Sequence, residues 1–168
     1  GSPVSVDTFD TLPLGRAVVA LRARLGAILG DVPTSQRFYG GGANGQRGFP
    51  ERQLSPFVTG YGTTGDPYDV VYGGAAQVDV GAEFRAPLGR WLGLDLGGVA
   101  FLDGGDVTAT AGALDLGHLH WATGLGLRVA TLIGPIRIDV GHRLNRTGAG
   151  EPNGDESFAF HVSLGEAY

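Results

Sequence analysis

The chain contains no cysteine, no methionine and no lysine. Without cysteine it has no disulfide framework, no thiol nucleophile and no cysteine-based zinc site. Such a chain suits an oxidising compartment, where stray thiols are a liability. Without lysine, all twelve basic residues are arginines, and they form no basic block. Together with a net charge of −5, this argues against nucleic acid as a partner. No stretch approaches the ~18 apolar residues of a membrane helix, which excludes helical spans and leaves spanning strands open. Gly1 and Ser2 follow no initiator methionine, so any signal peptide is expected to be gone already.

Glycine is what the chain has in excess, at 31 of 168 residues against a usual share of ~7%. Length and a hydrophobic content of 42% suit one folded domain. The other signal is alternation with period two, the mark of a strand. In RAVVALRARLGAI, Ala17, Val19, Leu21, Ala23, Leu25 and Ala27 oppose a face carrying Arg16, Arg22 and Arg24. QVDVGAEFRA sets Val78, Val80, Ala82 and Phe84 against Gln77, Asp79, Gly81, Glu83 and Arg85. WLGLDLGG, HLHWATGLGLRV, IRIDVGHRL and SFAFHVSLG alternate in the same way, and VSVDTF reads as the end of a further strand. The count is about seven strands, with no convincing helix, so the chain is predicted to be all-β. The longest connection, about forty residues up to Val71, shows no strand periodicity, and connections of that length are functional or disordered. Shorter connections are expected at 87–90, 104–117, 132–135 and 145–155.

Two architectures fit this pattern. In a soluble sandwich the apolar faces meet a packed core, whereas in a membrane barrel they meet lipid and the polar faces line a lumen. Three features favour the barrel. Several segments approach the ~9–11 residues of a tilted spanning strand. The polar faces mix arginine with carboxylates and glycine. Aromatic residues such as Phe84, Trp91, Phe101, Trp121 and Phe158 fall near strand ends, as interface girdles do. On a lipid face Arg16, Arg22 and Arg24 would cost ~2–4 kcal/mol each near the midplane, so they must face inward.

Motifs of catalysis are weak. Residues 40–45, GGGANG, satisfy the letters of a dinucleotide fingerprint, but QRGFP follows and cannot open the helix that phosphate binding requires. His118 and His120 share a strand face but lack a third metal ligand. Nothing resembles a nucleophile elbow, and the carboxylates are dispersed. An enzyme is not expected, nor a metal or cofactor.

Five motifs in order carry a resemblance: RFYGGGANGQRGF, VDVGAEFRAPLG, VAFLDGGDV, GLGLRVATLIGPIRIDVGHRLN and FAFHVSLGEAY. They resemble the C-terminal barrel region of the bacterial surface antigen superfamily, which includes the BamA, TamA and FhaC-like proteins. That resemblance implies an antiparallel transmembrane β-barrel in the outer membrane of a Gram-negative bacterium. It also implies a role in inserting outer-membrane proteins or translocating polypeptides. Its partners would be outer-membrane lipid and client outer-membrane or secreted polypeptides. Residues 31–70 are expected to fold into the lumen and present Arg47, Gly48 and Phe49. Arg47 would then meet Glu83, Asp103 or both on the wall. Periodicity places Glu83 on a polar face, and Asp103 in register with Asp95 unless a bulge at Gly97 and Gly98 shifts it. The resemblance further implies that Phe158, Phe160, Val162, Leu164 and Tyr168 form the terminal strand that assembly machinery reads. Family barrels are sixteen-stranded and carry POTRA domains, whereas this chain offers about seven or eight strands. Residues 1–168 are therefore expected as one half-barrel domain. It would be a truncated piece, a short member with a structural or passive-pore role, or a barrel completed by a second copy.

Overall fold

A computed structural model of the chain describes residues 2–148, 150–152 and 154–165. Their nine strands are β1 (Ser2–Leu14), β2 (Ala17–Leu29), β3 (Phe57–Tyr61), β4 (Pro67–Val71), β5 (Ala76–Trp91), β6 (Leu94–Thr108), β7 (His120–Thr131), β8 (Gly134–Arg143) and β9 (Phe158–Leu164). Seven form a single antiparallel sheet in the order β1-β2-β5-β6-β7-β8-β9, and β3 and β4 pair as a separate ribbon. The described residues contain three short 3₁₀ turns and no α-helix.

The register decides which side chains share a face. Arg22 pairs with Gly81, Gly81 with Asp103, and Asp103 with Ala122, which pairs in turn with Arg143. Asp139 pairs with His161. One face thereby collects Arg22, Asp79, Glu83, Asp103, His120, Arg137, Asp139, Arg143 and His161, all of them buried. The other carries Leu21, Leu25, Phe84, Leu102, Leu125, Val140, Phe160 and Val162, all exposed. This inverts the usual half-solvated sheet, in which the apolar side is the covered one. What covers the polar face is the chain between β2 and β5.

Three short connections, at 15–16, 92–93 and 132–133, lie at one end of the sheet, and the long ones, at 30–75, 109–119 and 144–157, at the other. Leu92 and Gly93 both have positive φ, 50° and 82°, as a tight two-residue hairpin turn demands.

Phe101, expected near a strand end among interface aromatics, is instead buried mid-β6 on the inner face, because it shares the face of Asp103. The fold departs from the sequence expectation in four further places. The sheet is open: β1 pairs only with β2 and β9 only with β8, so no barrel closes within the described residues. An eight-stranded barrel has an interior just wide enough for side chains, and here the inner face must also hold a stretch of backbone. Residues 31–70 do not form a strandless loop, because β3 and β4 pair across it, with Thr59 Oγ1 donating to Asp69 Oδ1 at 2.9 Å. Residues 87–90 belong to β5 instead of a connection; the register shifts between Pro87 and Gly89, a bulge that accommodates a proline without a ladder N–H. The bulge therefore lies on β5 and not at Gly97 and Gly98. Finally, β6 continues through Gly104 and Gly105 to Thr108, because β5 and β7 pair with both glycines and the ladder overrides their weak strand preference.

Candidate functional site

Residues 38–55 are tied down by their own backbone before any side chain acts. Phe38 bridges to Gly74, and Gly40 to Leu54. Gly42 N–H donates to Phe49 O at 2.9 Å, closing a compact turn. Gly41 and Gly42 have φ of 95° and 94°, which few residues with a Cβ adopt.

The turn delivers Arg47 to the inner face. Its Nε donates to Asp103 Oδ2 at 2.7 Å and its Nη2 to Asp103 Oδ1 at 2.9 Å, a two-pronged contact. Its Nη1 donates to Glu83 Oε2 at 2.5 Å, and its backbone N–H adds a third bond to Asp103 at 3.1 Å. The guanidinium carbon stands 3.6 Å from the centre of the Phe101 ring, a cation–π contact. Arg47, Glu83 and Asp103 are 1%, 3% and 0% exposed. Burial alone would lower the Arg47 pKa, but the hydrogen bonds and charges of Asp103 and Glu83 raise it above its ordinary value. The group therefore stays charged at any pH the fold survives.

Around this contact the sheet satisfies the carbonyls of the turn. Arg137 Nη2 donates to Ala43 O and its Nη1 to Asn44 Oδ1, both at 3.0 Å. Arg22 Nη2 donates to Gly45 O at 3.0 Å, while its Nε holds Asp79 at 2.7 Å. His161 Nε2 donates to Arg47 O at 3.0 Å, and Arg143 Nε to Gly48 O at 2.9 Å. Four side chains from three strands thus supply the donors that a buried, irregular backbone lacks. Phe49 is fully buried, with the Arg143 guanidinium 3.7 Å from its ring centre and the His120 ring edge-on at 5.3 Å.

Two glycines keep the turn and wall in contact. A Cβ on Gly141 would fall inside the carbonyl of Arg47, and one on Gly48 would sit 2.5 Å from Ala122 Cβ. We expect Gly141→Ala to destabilise the protein by about 1–3 kcal/mol through overpacking. Its denaturation midpoint in detergent checks this, and a midpoint equal to wild type would contradict it.

Of the terminal-strand residues, Phe158, Phe160, Val162 and Leu164 all point outward on β9, while Tyr168 lies outside the described residues. The two histidines weighed as metal ligands do not converge. His118 is exposed and bonds Asp115 at 2.7 Å. His120 is buried, and its Nε2 donates to Glu151 Oε2 at 3.0 Å. The capping roles of Arg22, Arg137, Arg143 and His161 went unrecognised in the sequence. Their inward face was legible, but their partners are backbone atoms that no motif marks.

Glu151 belongs to the connection 144–157. Burial would raise its pKa, but Arg146 and His120 hydrogen bonds and charges lower it below the ordinary 4.5. A depressed carboxylate stabilises fully above its ordinary value and loses that contribution as pH falls through its folded value. The contacts of Glu151 with Arg146 and His120 should therefore hold from neutral pH down to about 4.5 and loosen below it. Hydrogen exchange against pH reads this, and loosening confined to pH 5–7 would contradict it.

An antiparallel meander with an apolar outside, a charged inside and an arginine-locked turn defines a class of all-β proteins of inverted polarity. The Omp85 superfamily domain matches residues 4–168, and the chain belongs to that superfamily. A solved structure with the same fold is BamA from Haemophilus ducreyi lacking POTRA domains 1–3, with a TM-score of 0.72 and 23% identity. The match covers 96% of this chain and 34% of that one, so the chain spans about a third of its structural relative. A search of the curated proteins finds no match.

Proposed function

We propose that this chain forms part of the wall of an outer-membrane β-barrel that inserts outer-membrane proteins or translocates polypeptides. Residues 31–70 would be its lumen segment. The observation that carries this reading is the Arg47 lock, which holds an irregular segment against a polar inner wall while the outer face stays apolar. Lipid covers Leu21, Leu125 and Phe160, and Arg47, Gly48 and Phe49 fix the lumen segment to Glu83 and Asp103. Phe158, Phe160, Val162 and Leu164 form the terminal strand read during assembly. The edges of β1 and β9 require partners in hydrocarbon, since unpaired strand edges do not persist there. Further strands of a longer polypeptide supply them. The partners are lipid and client polypeptides, and the role is non-enzymatic.

The test is reconstitution of the full-length protein carrying this chain in liposomes, with an unfolded outer-membrane protein as client. Acceleration of client folding, read by protease protection, is expected; no acceleration over empty liposomes would overturn the proposal. The two open edges also favour a second reading, a short passive-pore barrel closed by a second copy. It requires twice the protomer mass in detergent, and conductance without client insertion.

A further inference from the structure

At the short-turn end of the inner face lies a pocket of about 410 Å³ whose cations are Arg16, Arg85, Arg128 and Arg137. The carboxylates near them are already committed. Glu83 serves Arg47 at 2.5 Å and Arg85 at 2.6 Å. Asp139 serves Arg128 at 2.8 Å and lies 3.7 Å from Arg137. Asp95, on the pocket rim, pairs with Arg90 at 3.0 Å. With Arg90 counted beside its partner Asp95, five guanidinium groups thus face three carboxylates, a surplus of two positive charges, and Glu83 is shared with Arg47 as well.

Donors are also left over. Arg137 is 2% exposed, and its Nε has no hydrogen-bond partner among the described residues. Arg128 Nη2 is likewise buried and unbonded, and a Glu83 carboxylate oxygen lies 3.9 Å from it. Arg16, in the β1–β2 turn, is exposed. Buried guanidinium donors are costly to leave unpaired, and their planar forks match the two oxygens of a carboxylate.

We propose that this pocket is a binding site for the carboxylate side chains of an acidic polypeptide segment. The proposal rests on the polypeptide-handling reading above. A peptide is favoured over a lipid headgroup because the arginines lie on the polar inner face, opposite the apolar face that carries Leu125 and Phe160. In barrels of this kind the short turns face the periplasm, so a polypeptide arriving from that side meets these arginines first.

The test uses the full-length protein in detergent and a short fluorescent Glu-Ser peptide, with its Gln-Ser counterpart as control and anisotropy as readout. The acidic peptide should bind and the Gln-Ser peptide should not, and added salt should weaken binding. Arg128→Gln should weaken binding about tenfold, as loss of a charge-assisted hydrogen bond does. Arg128→Lys should fall in between, because a point charge replaces a fork. Arg16→Gln, at an exposed turn where folding is not at stake, should weaken it roughly two- to fivefold. Equal binding of both peptides, or affinity unchanged in both Gln variants, would overturn the proposal. So would binding of inorganic phosphate in the absence of any peptide binding. Client folding measured on the same preparation separates the two readings. Client folding without peptide binding defeats only the pocket, and arginine-dependent peptide binding without client folding defeats only the proposed function.

Discussion

Arg47→Ala is expected to destabilise the protein by about 3–5 kcal/mol, the cost of removing one partner from a buried ion pair. The loss falls unevenly on the two carboxylates. Glu83 keeps Arg85 at 2.6 Å, so it remains paired. Asp103 loses both guanidinium bonds and retains the backbone N–H of residue 47 at 3.1 Å and Arg22 at 3.6 Å. It is fully buried, so it cannot turn to water. Most of the penalty should therefore sit at Asp103, and Asp103→Asn introduced into Arg47→Ala should restore part of the loss, because the orphaned charge is gone. Arg47→Lys should fall between wild type and alanine, since an ammonium cannot span Asp103 and Glu83 with a fork. Urea unfolding in detergent micelles, arranged as a double-mutant cycle, measures all of these. A cost below about 1 kcal/mol for Arg47→Ala would place the contact with ordinary surface ion pairs and refute the lock.

The second large effect tests the outer face. Leu125 lies midway along β7, paired with Ala100 and Val140, and is 69% exposed. In water, such a position tolerates arginine with a change within about 0.5 kcal/mol. In a bilayer, an arginine at mid-depth on the lipid face costs about 2–4 kcal/mol. Leu125→Arg should therefore destabilise the protein by that amount in lipid bilayers. Thr123→Arg, nearer the strand end on the same outward face, should cost less as the position approaches the interface. Equal stability of wild type and Leu125→Arg in bilayers would show that this face does not meet lipid.

These two residues also mark how far the sequence could be read. Leu125 was placed by alternation alone, because successive side chains of a strand point to opposite faces whatever the partner strand. The same rule put Arg22, Asp79 and Glu83 on one side and Phe160 and Val162 on the other before any strand had a neighbour. It could not find where strands stop. Pro87 and Gly89 look like a connection and lie inside β5, because the β6 ladder and one bulge absorb them. The β3–β4 ribbon was missed for a related reason. It consists of two five-residue strands with weak alternation, and their pairing depends on cross-strand contacts such as Thr59 with Asp69.

The sequence by itself determined that this is an all-β chain, which faces of its strands are polar, and that the glycine-rich turn carries a lone arginine followed by glycine and phenylalanine. All of that is local, spread over a few residues and governed by the two-residue period of extended backbone. Only the tertiary structure decided that Arg47 is shared between Asp103 and Glu83, 56 and 36 residues away. It also decided that His161, 114 residues on, caps the Arg47 carbonyl, and that Arg22, Arg137 and Arg143 close over the rest of the turn. The reason is geometric. Partners that far apart meet only once strand register has set them on one face, and register is a property of paired strands that no single strand contains.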